Sequence, residues 1–436
     1  MGASNAVWLL LKSFPVNASH LCRKSVARLL TLSTFASITM AGVLAAQAPG
    51  ASVTDDAIAR LGSQLASGAA KLEWTEGRGY LPSLLNLLGI DVDSQVLVFS
   101  KTSFQHTLID PKHPRAVYFN DNVAIGMVQN GTVYEMMALE PSHGLAFYTL
   151  DTQKAERPTF QRRGVECLFC HGPGNKGAAA MVVASVIPDS QGVPAYTSAF
   201  IDTIDHRTPF ERRWGGWYVT GTHGSQQHLG NAVAPDPEHP LDLETANTQN
   251  LTSLAGRIDV TKYLTDTSDI VALLTLEHQV GATNRLGALS VQYRQAERTG
   301  APDPKALDAG VHDLADYLLF VGEAPLGEPV KGVSTFSQTF ARRGPRDARG
   351  RSLREFDLRT RLFRYRLSFM IYSDLFDALP APIRERVYQR LCDVLSGRDK
   401  SSTYASMTAE ERTAILEIVR DTKHNLPTFW GIEQAG

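Results

Sequence analysis

Short apolar runs dominate the first half of the chain, and helical periodicity dominates the second half. Runs of β-branched and aromatic residues, separated by Pro, Gly, Asn and Asp, predict strands over residues 95–100, 115–120, 123–128, 132–138 and 145–150. Asn130-Gly131 lies between two of these runs and is a strong hairpin signal. The first half is therefore predicted to contain an antiparallel meander between about residues 90 and 155.

Apolar residues at helical spacing predict helices on both sides of this meander. Two short helices are predicted before it, over residues 54–67 and 82–88. Helices are predicted after it over residues 268–298, 303–320, 359–379, 382–395 and 408–422. The intervening chain predicts strands over residues 181–187 and 215–222 and a long surface loop over residues 224–260. The predicted fold class is α+β, with a strand-rich N-terminal half and a mainly helical C-terminal half.

The first 45 residues have the pattern of a secretory signal peptide. Arg23, Lys24 and Arg28 precede an apolar run over residues 29–46, whose end is rich in small residues. An uncleaved membrane anchor is the alternative, because the run is about long enough to span a bilayer. No other apolar stretch approaches that length. We therefore expect a signal peptide over residues 1–45, export to the periplasm and no membrane span in the mature chain.

Charge and cysteine content narrow the classes of function. Lysine and arginine number 43 against 45 aspartate and glutamate residues, so the net charge of −2 gives no reason to expect a nucleic-acid partner. Of the 4 cysteines, Cys22 lies in the predicted signal peptide. Cys392 lies in a predicted helix and is expected to be a buried apolar residue. Cys167 and Cys170 remain, close together near the middle of the chain.

Cys167, Leu168, Phe169, Cys170 and His171 have the C-x-x-C-H pattern of a c-type haem attachment site. In such a site the two thiols form thioethers with the haem vinyl groups, and the adjacent imidazole binds the iron from the proximal side. The sequence thus predicts one covalent haem c on Cys167 and Cys170, with its iron bound by His171. Covalent haem attachment in bacteria takes place outside the cytoplasm, which agrees with the predicted export.

The motif lies between the strand-rich and the helical parts of the chain. Residues 46–160 are expected to form an N-terminal α+β region, residues 161–265 a haem-attachment region and residues 266–436 a helical region. The pattern is also compatible with a single compact unit made of all three regions.

Two other kinds of site share the spacing of these cysteines. A zinc site needs further ligands, and lone histidines would have to supply them because the remaining cysteines are Cys22 and Cys392. A thioredoxin-like dithiol has its reactive cysteine at a helix N-terminus, whereas a glycine-rich, loop-forming run follows His171 here. We therefore favour the haem site over the zinc site and the redox dithiol.

The motif does not fix the second axial ligand of the iron. No methionine occurs between Met181 and Met370, so histidine is the better candidate. His223 and His228 lie in a segment rich in Gly and Trp, residues that can approach and pack against a flat macrocycle. His278 lies on the apolar stripe of the first long helix predicted in the second half. The alternatives are a methionine such as Met181, another histidine, or an open distal position, which would allow a small molecule to bind the iron.

An arginine-rich run extends from Arg342 to Arg366. Arg354, Arg361 and Arg364 are candidates to pair with haem propionates or with an acidic redox partner, because arginine makes bidentate contacts with carboxylates. The alternative is a solvated face on which the arginines alternate with acidic residues.

Beyond CLFCH, three segments stand out: HRTPFERRWGGWYVTGTHG with QHLGN after it, the TSDIVALLTLEHQ helix, and ARRGPRDARGRSLREFDLRTRLFRYRLSFMIYSDLFDALP. Together with the motif they resemble a family of large exported bacterial proteins known as cytochrome c domain-containing proteins. The resemblance covers nearly the whole mature chain. It implies covalent haem at Cys167 and Cys170 with His171 as the iron ligand.

This chain departs from the family pattern at two places that concern the second axial ligand. Many members have Met where Leu229 stands and a Met-His pair where Ala282-Thr283 stands. The resemblance therefore leaves His223, His228 and His278 as the matching histidines.

The function expected from the sequence is electron transfer by an exported mono-haem c-type cytochrome, with a redox partner protein in the periplasm. A haem-dependent oxidoreductase of the peroxidase-like kind, with an open distal iron site, is one alternative. A haem-based sensor of a small molecule is another. The length of 436 residues argues mildly against a bare electron carrier.

Overall fold

The structure, a computed structural model, describes residues 55–141, 144–172, 178–195, 201–236, 238–239, 242–300 and 303–431. The residues described from Asp55 onward belong to one compact unit. The predicted signal peptide over residues 1–45 lies outside the described residues, as do residues 173–177 behind the CLFCH motif.

A seven-stranded antiparallel sheet is the main element of the first half of the described chain. The strands in chain order are β1 (Val96–Val98), β2 (Arg115–Phe119), β3 (Val123–Met127), β4 (Val133–Glu140), β5 (Gly144–Asp151), β6 (Gln161–Arg163), β7 (Ala184–Val186), β8 (Ile201–Thr203) and β9 (Trp217–Tyr218). The order in the sheet is β6-β5-β4-β3-β2-β1-β9, and β7 pairs with β8 separately. Asn130 has a φ of 58° in the turn between β3 and β4, where the hairpin was predicted. The predicted meander is confirmed.

Helices dominate the second half. The described α-helices in chain order are α1 (Ala57–Ser67), α2 (Leu81–Leu87) and α3 (Val165–His171) in the first half, and α4 (Ile270–Thr299), α5 (Pro304–Leu318), α6 (Phe336–Arg343), α7 (Asp374–Asp377), α8 (Ala381–Leu395) and α9 (Ala409–Thr422) in the second. The predicted helices at α1, α2, α4, α5, α8 and α9 are confirmed, and Cys392 is buried in α8 as predicted. The fold is α+β, with a strand-rich N-terminal half and a mainly helical C-terminal half.

The sheet separates two hydrophobic cores, because alternate residues of a strand point to opposite faces. Tyr118 and Tyr148 lie in a smaller core, which α1 and α2 help to fill. Phe119 and Phe147 lie in a larger core, which α4, α5, α8 and α9 fill. α4 is buried on all sides from Ile270 to Thr283, so it forms the centre of the larger core. None of the described helices is long and apolar enough to cross a membrane.

The prediction of a helix over residues 359–379 is wrong. Helical turns occur there only at Phe369–Tyr372 and at α7, and α6, which precedes this segment, was not predicted. Leu358 has a left-handed backbone with a φ of 56°, and Phe356 pairs with Phe363 as an isolated bridge. The apolar residues of this segment enter the larger core from an irregular backbone. Tertiary packing therefore outweighs the helical spacing here.

Candidate functional site

The CLFCH motif lies on helix α3, directly behind the edge strand β6. Cys167, Cys170 and His171 stand at positions i, i+3 and i+4, and residues at these spacings share one face of a helix. The helix ends at His171, because Gly172 after it has a non-helical ψ of 165°. The two thiols and the imidazole therefore lie on the same side of α3.

The two cysteines have different environments, and both are free thiols. Cys170 is exposed, whereas Cys167 is partly buried against the larger core. Contrary to the sequence argument against a helix start, α3 begins at Val165 and Cys167 lies in its first turn. Burial nevertheless raises the pKa of Cys167, and Glu166 and Glu135 raise it further. Because the thiolate is the reactive form in disulfide exchange, this environment disfavours the thioredoxin-like alternative.

The imidazole of His171 is held by the segment that follows the motif. Its Nδ1 donates to the main-chain oxygen of Ala180 at 2.9 Å, and its ring packs on Phe147 with 5.3 Å between the centroids. Since a carbonyl can only accept, Nδ1 carries the proton and Nε2 keeps its lone pair. Burial lowers the pKa of His171, although the contact with Ala180 opposes this shift. His171 is thus a neutral imidazole whose Nε2 is available for a metal.

An ion pair on the face of the sheet lies near the motif. Nη2 of Arg115 on β2 lies 2.9 Å from Oε2 of Glu135 on β4. Arg115 lowers the pKa of His171, and Glu135 raises it. Gly126 leaves room for the guanidinium, because a Cβ there would lie 2.4 Å from Arg115 Nη2. Arg115 Nε is buried without a hydrogen-bond partner in the part of the chain that the structure describes. This pair was not predicted from the sequence, although Glu135 interrupts an apolar strand.

His278, one of the predicted distal ligands, is fully buried and bonded at both ring nitrogens. Its Nδ1 lies 2.8 Å from Nδ1 of His206, and its Nε2 lies 2.6 Å from Oγ of Ser368. The ring stacks on Phe320, with 4.3 Å between the centroids. As arranged, neither nitrogen of His278 is free to bind iron.

His223 is also engaged. Its Nε2 accepts the main-chain N–H of Asn250 at 3.0 Å, so its Nδ1 carries the proton when the ring is neutral. Burial lowers the pKa of His223 and favours this neutral state. The arrangement leaves no lone pair of His223 for a metal unless the contact with Asn250 breaks.

His228 differs from the other two candidates. Both of its ring nitrogens are buried and have no hydrogen-bond partner among the described residues. The ring lies beside His223 and the indole of Trp214, with centroid distances of 4.8 and 5.3 Å. Burial and the neighbouring His223 lower the pKa of His228 to about 3. Of the three predicted candidates, His228 is therefore the one that keeps a free lone pair.

The structure does not bring these candidates into contact with the motif. His171 contacts Phe147 and Ala180, and in the described chain no hydrogen bond or ring contact joins it to His223, His228 or His278. No cluster of three or more His, Cys, Asp or Glu residues suited to a metal ion occurs among the described residues.

The arginines singled out in the sequence are paired with acidic groups of the chain itself. Arg354 pairs with Asp121, and Arg364 lies 3.0 Å from Glu355. Arg361 lies 3.2 Å from Glu411. Of these three pairs, only that of Arg364 with Glu355 matches the predicted solvated face, because Arg354 is buried and Asp121 and Glu411 lie outside the run. The pairs also occur on an irregular backbone rather than on a helix face.

No family model matches this chain, no curated protein is significantly similar to it, and no solved structure matches it.

Proposed function

We propose that this protein is an exported c-type cytochrome with one covalent haem and that it exchanges electrons with a redox partner protein in the periplasm. The observation that carries the proposal is the arrangement on α3, where two free thiols and a neutral imidazole share one face. Cys167 and Cys170 would hold the haem as thioethers, and Nε2 of His171 would bind its iron. The contact with Ala180 supports this role, because it leaves Nε2 as the available ligand atom.

Two features of the surroundings support this role. Phe147 flanks the imidazole with an apolar ring, and the guanidinium of Arg115 is already neutralised by Glu135. When bound, haem supplies one-electron chemistry. The residues of the chain keep the proximal imidazole neutral and fix its orientation. The raised pKa of Cys167 argues against thiol redox chemistry at the motif.

A haem-dependent oxidoreductase of the peroxidase-like kind, or a small-molecule sensor, is the second candidate function. It is favoured by the positions of the histidines, because His223 and His278 are engaged elsewhere. His228 has free nitrogens but contacts aromatic residues rather than the motif. An iron without a distal protein ligand would be open to a small molecule.

Absorption spectra of the ferric and ferrous protein, with and without CO, separate these functions. The electron carrier is expected to give a low-spin spectrum that does not respond to CO. A high-spin ferric spectrum with rapid CO binding to the ferrous form would contradict a pure carrier and support the second candidate.

Replacement of the two motif cysteines tests covalent attachment. Cys167→Ala combined with Cys170→Ala is expected to remove the haem-stained band from a denaturing gel, because no thiol then remains on α3 to form a thioether. Cys392→Ala is the control and keeps the band, since that thiol is buried in α8. Haem staining of the denatured double variant would refute the assignment.

A further inference from the structure

The chain folds back on α3 directly behind the motif. The main-chain N–H of Ala180 donates to the main-chain oxygen of His171 at 3.0 Å. In return, Nδ1 of His171 donates to the oxygen of Ala180 at 2.9 Å. Backbone and side chain of His171 are therefore both tied to one residue. The orientation of the imidazole depends on what holds Ala180 in place.

A side chain of α4 holds the residue next to Ala180. Asn284 accepts the main-chain N–H of Met181 on Oδ1 at 2.8 Å and donates from Nδ2 to the main-chain oxygen of Met181 at 2.9 Å. A carboxamide can satisfy both polar groups of one peptide residue in this way, as a neighbouring strand would. Met181 is itself buried in the larger core, where α4 is the central helix. The segment behind the motif is thus attached to the most deeply buried element of the fold.

We propose that Asn284 is a positioning residue for the proximal imidazole of His171. It fixes Met181, which fixes Ala180, whose carbonyl orients the ring through Nδ1. The inference rests on the proposed function, because this orientation has a chemical consequence only when Nε2 of His171 binds iron.

The expected consequence follows from the hydrogen bond at Nδ1. A firm bond from Nδ1–H to a carbonyl makes the other ring nitrogen a more basic ligand, and a more basic ligand stabilises the oxidised metal. Without Asn284 the carbonyl of Ala180 is less well fixed, and this bond weakens. Loss of Asn284 should therefore raise the midpoint potential of the haem.

Gln279 provides a matched control on the same helix. It is a buried amide, and its Nε2 donates to a distant main-chain oxygen, that of Asn120, at 2.7 Å. Asn284→Ala removes two hydrogen bonds between α4 and the backbone and Gln279→Ala removes one, but only those of Asn284 lie beside the motif. Asn284→Asp keeps the acceptor for the N–H of Met181 and loses the donor. Because it also adds a negative charge, only its amide exchange is compared with that of Asn284→Ala.

Two measurements on the purified proteins test the proposal. The first is amide hydrogen exchange over residues 178–183, and the second is the midpoint potential from a redox titration. In Asn284→Ala, the amides of Ala180 and Met181 are expected to exchange faster and the potential is expected to shift upward. Gln279→Ala should change neither quantity.

The outcomes distinguish a positioning role from a structural one. Faster exchange with an unchanged potential would overturn the positioning role, because the loosened segment would then not affect the iron. Unchanged exchange would overturn the link through Met181 itself. A wild-type chain without haem would overturn the proposed function and the positioning role together, while the exchange data would still test the link.

Discussion

At the scale of single residues, the buried carboxyl of Glu277 is held by specific hydrogen-bond donors. Glu277 on α4 is fully buried and accepts hydrogen bonds from Arg213 at 2.9 Å and from the indole N–H of Trp214. Burial raises the pKa of Glu277 to about 7, although both partners oppose the shift. Removal of one member of a buried pair costs more than the pair contributes, since the other is left without a partner.

Glu277→Ala is therefore expected to lower the free energy of unfolding by about 3–5 kcal/mol. The substitution leaves the guanidinium of Arg213 and the indole N–H of Trp214 without their acceptor in the core. Urea denaturation measures this loss. Glu297→Ala, at the exposed end of the same helix, is the control and should change stability by less than about 0.5 kcal/mol. Similar losses in the two variants would contradict the role given to the buried carboxyl.

At the scale of elements, α4 is joined to the chain around it by the residue that begins it. Asp269 caps the helix by accepting the N–H of Val271 on Oδ1 at 2.8 Å. Its Oδ2 also accepts the main-chain N–H groups of Val333 and Ser334, at 2.9 and 2.7 Å. One carboxylate thus serves both as a helix cap and as a tie to the segment before α6.

Asp269→Ala should accordingly destabilise the protein more than the loss of an ordinary cap. We expect a decrease of about 3 kcal/mol in the free energy of unfolding, because a cap bond and three tertiary bonds, one of them from the hydroxyl of Ser334, disappear together. Asp303 caps α5 through one bond, to the N–H of Lys305 at 3.0 Å, and is exposed. Asp303→Ala is expected to cost about 1 kcal/mol. Equal losses in chemical denaturation would show that the tertiary ties of Asp269 contribute nothing.

How far the elements could be predicted depends on how local their causes are. The spacing of apolar residues predicted α4 and α5, because helical periodicity depends on residues only three or four positions apart. β9 was predicted as part of a longer strand, residues 215–222, but its paired length is two residues. Its length is set by β1, more than a hundred residues away in the sequence, and local pattern contains no information on such a partner.

At the scale of the whole molecule, the same distinction applies to the candidate site. Cys167, Cys170 and His171 could be proposed from sequence as a haem-attachment site, because that motif depends on adjacent residues. The contacts that orient the site could not, since Asn284 lies 103 residues from Met181. The histidines predicted as candidate distal ligands were chosen by residue type and local sequence. Only the fold shows that His278 is hydrogen-bonded at both ring nitrogens.

The acid response of the whole molecule follows from its buried histidines. Burial lowers the pKa of several of them below the usual value near 6.5, namely His206, His223, His228 and His278. As the pH falls below this value, the unfolded chain binds protons that the folded chain does not, so stability decreases. Glu277 and Glu323 have pKa values raised to about 7 and act in the opposite direction, because the folded chain keeps their protons. His171 adds a fifth lowered pKa, and the exposed His239, whose pKa Asp236 raises, acts with the two carboxyls. Five groups thus oppose three, and stability should fall between about pH 6.5 and about pH 5.

His228→Phe isolates one of these contributions. The aromatic ring fits beside Trp214, and no hydrogen bond is lost because both nitrogens of His228 are unpaired among the described residues. Since His228 has a pKa of about 3 in the folded protein, its removal should reduce the acid-side slope of the unfolding free energy by about 1.4 kcal/mol per pH unit. Urea denaturation at several pH values in this window measures the slope. His312→Phe replaces an exposed histidine on α5 and is the control, which should keep the wild-type slope. An unchanged slope in His228→Phe would contradict the lowered pKa of His228 in the folded protein.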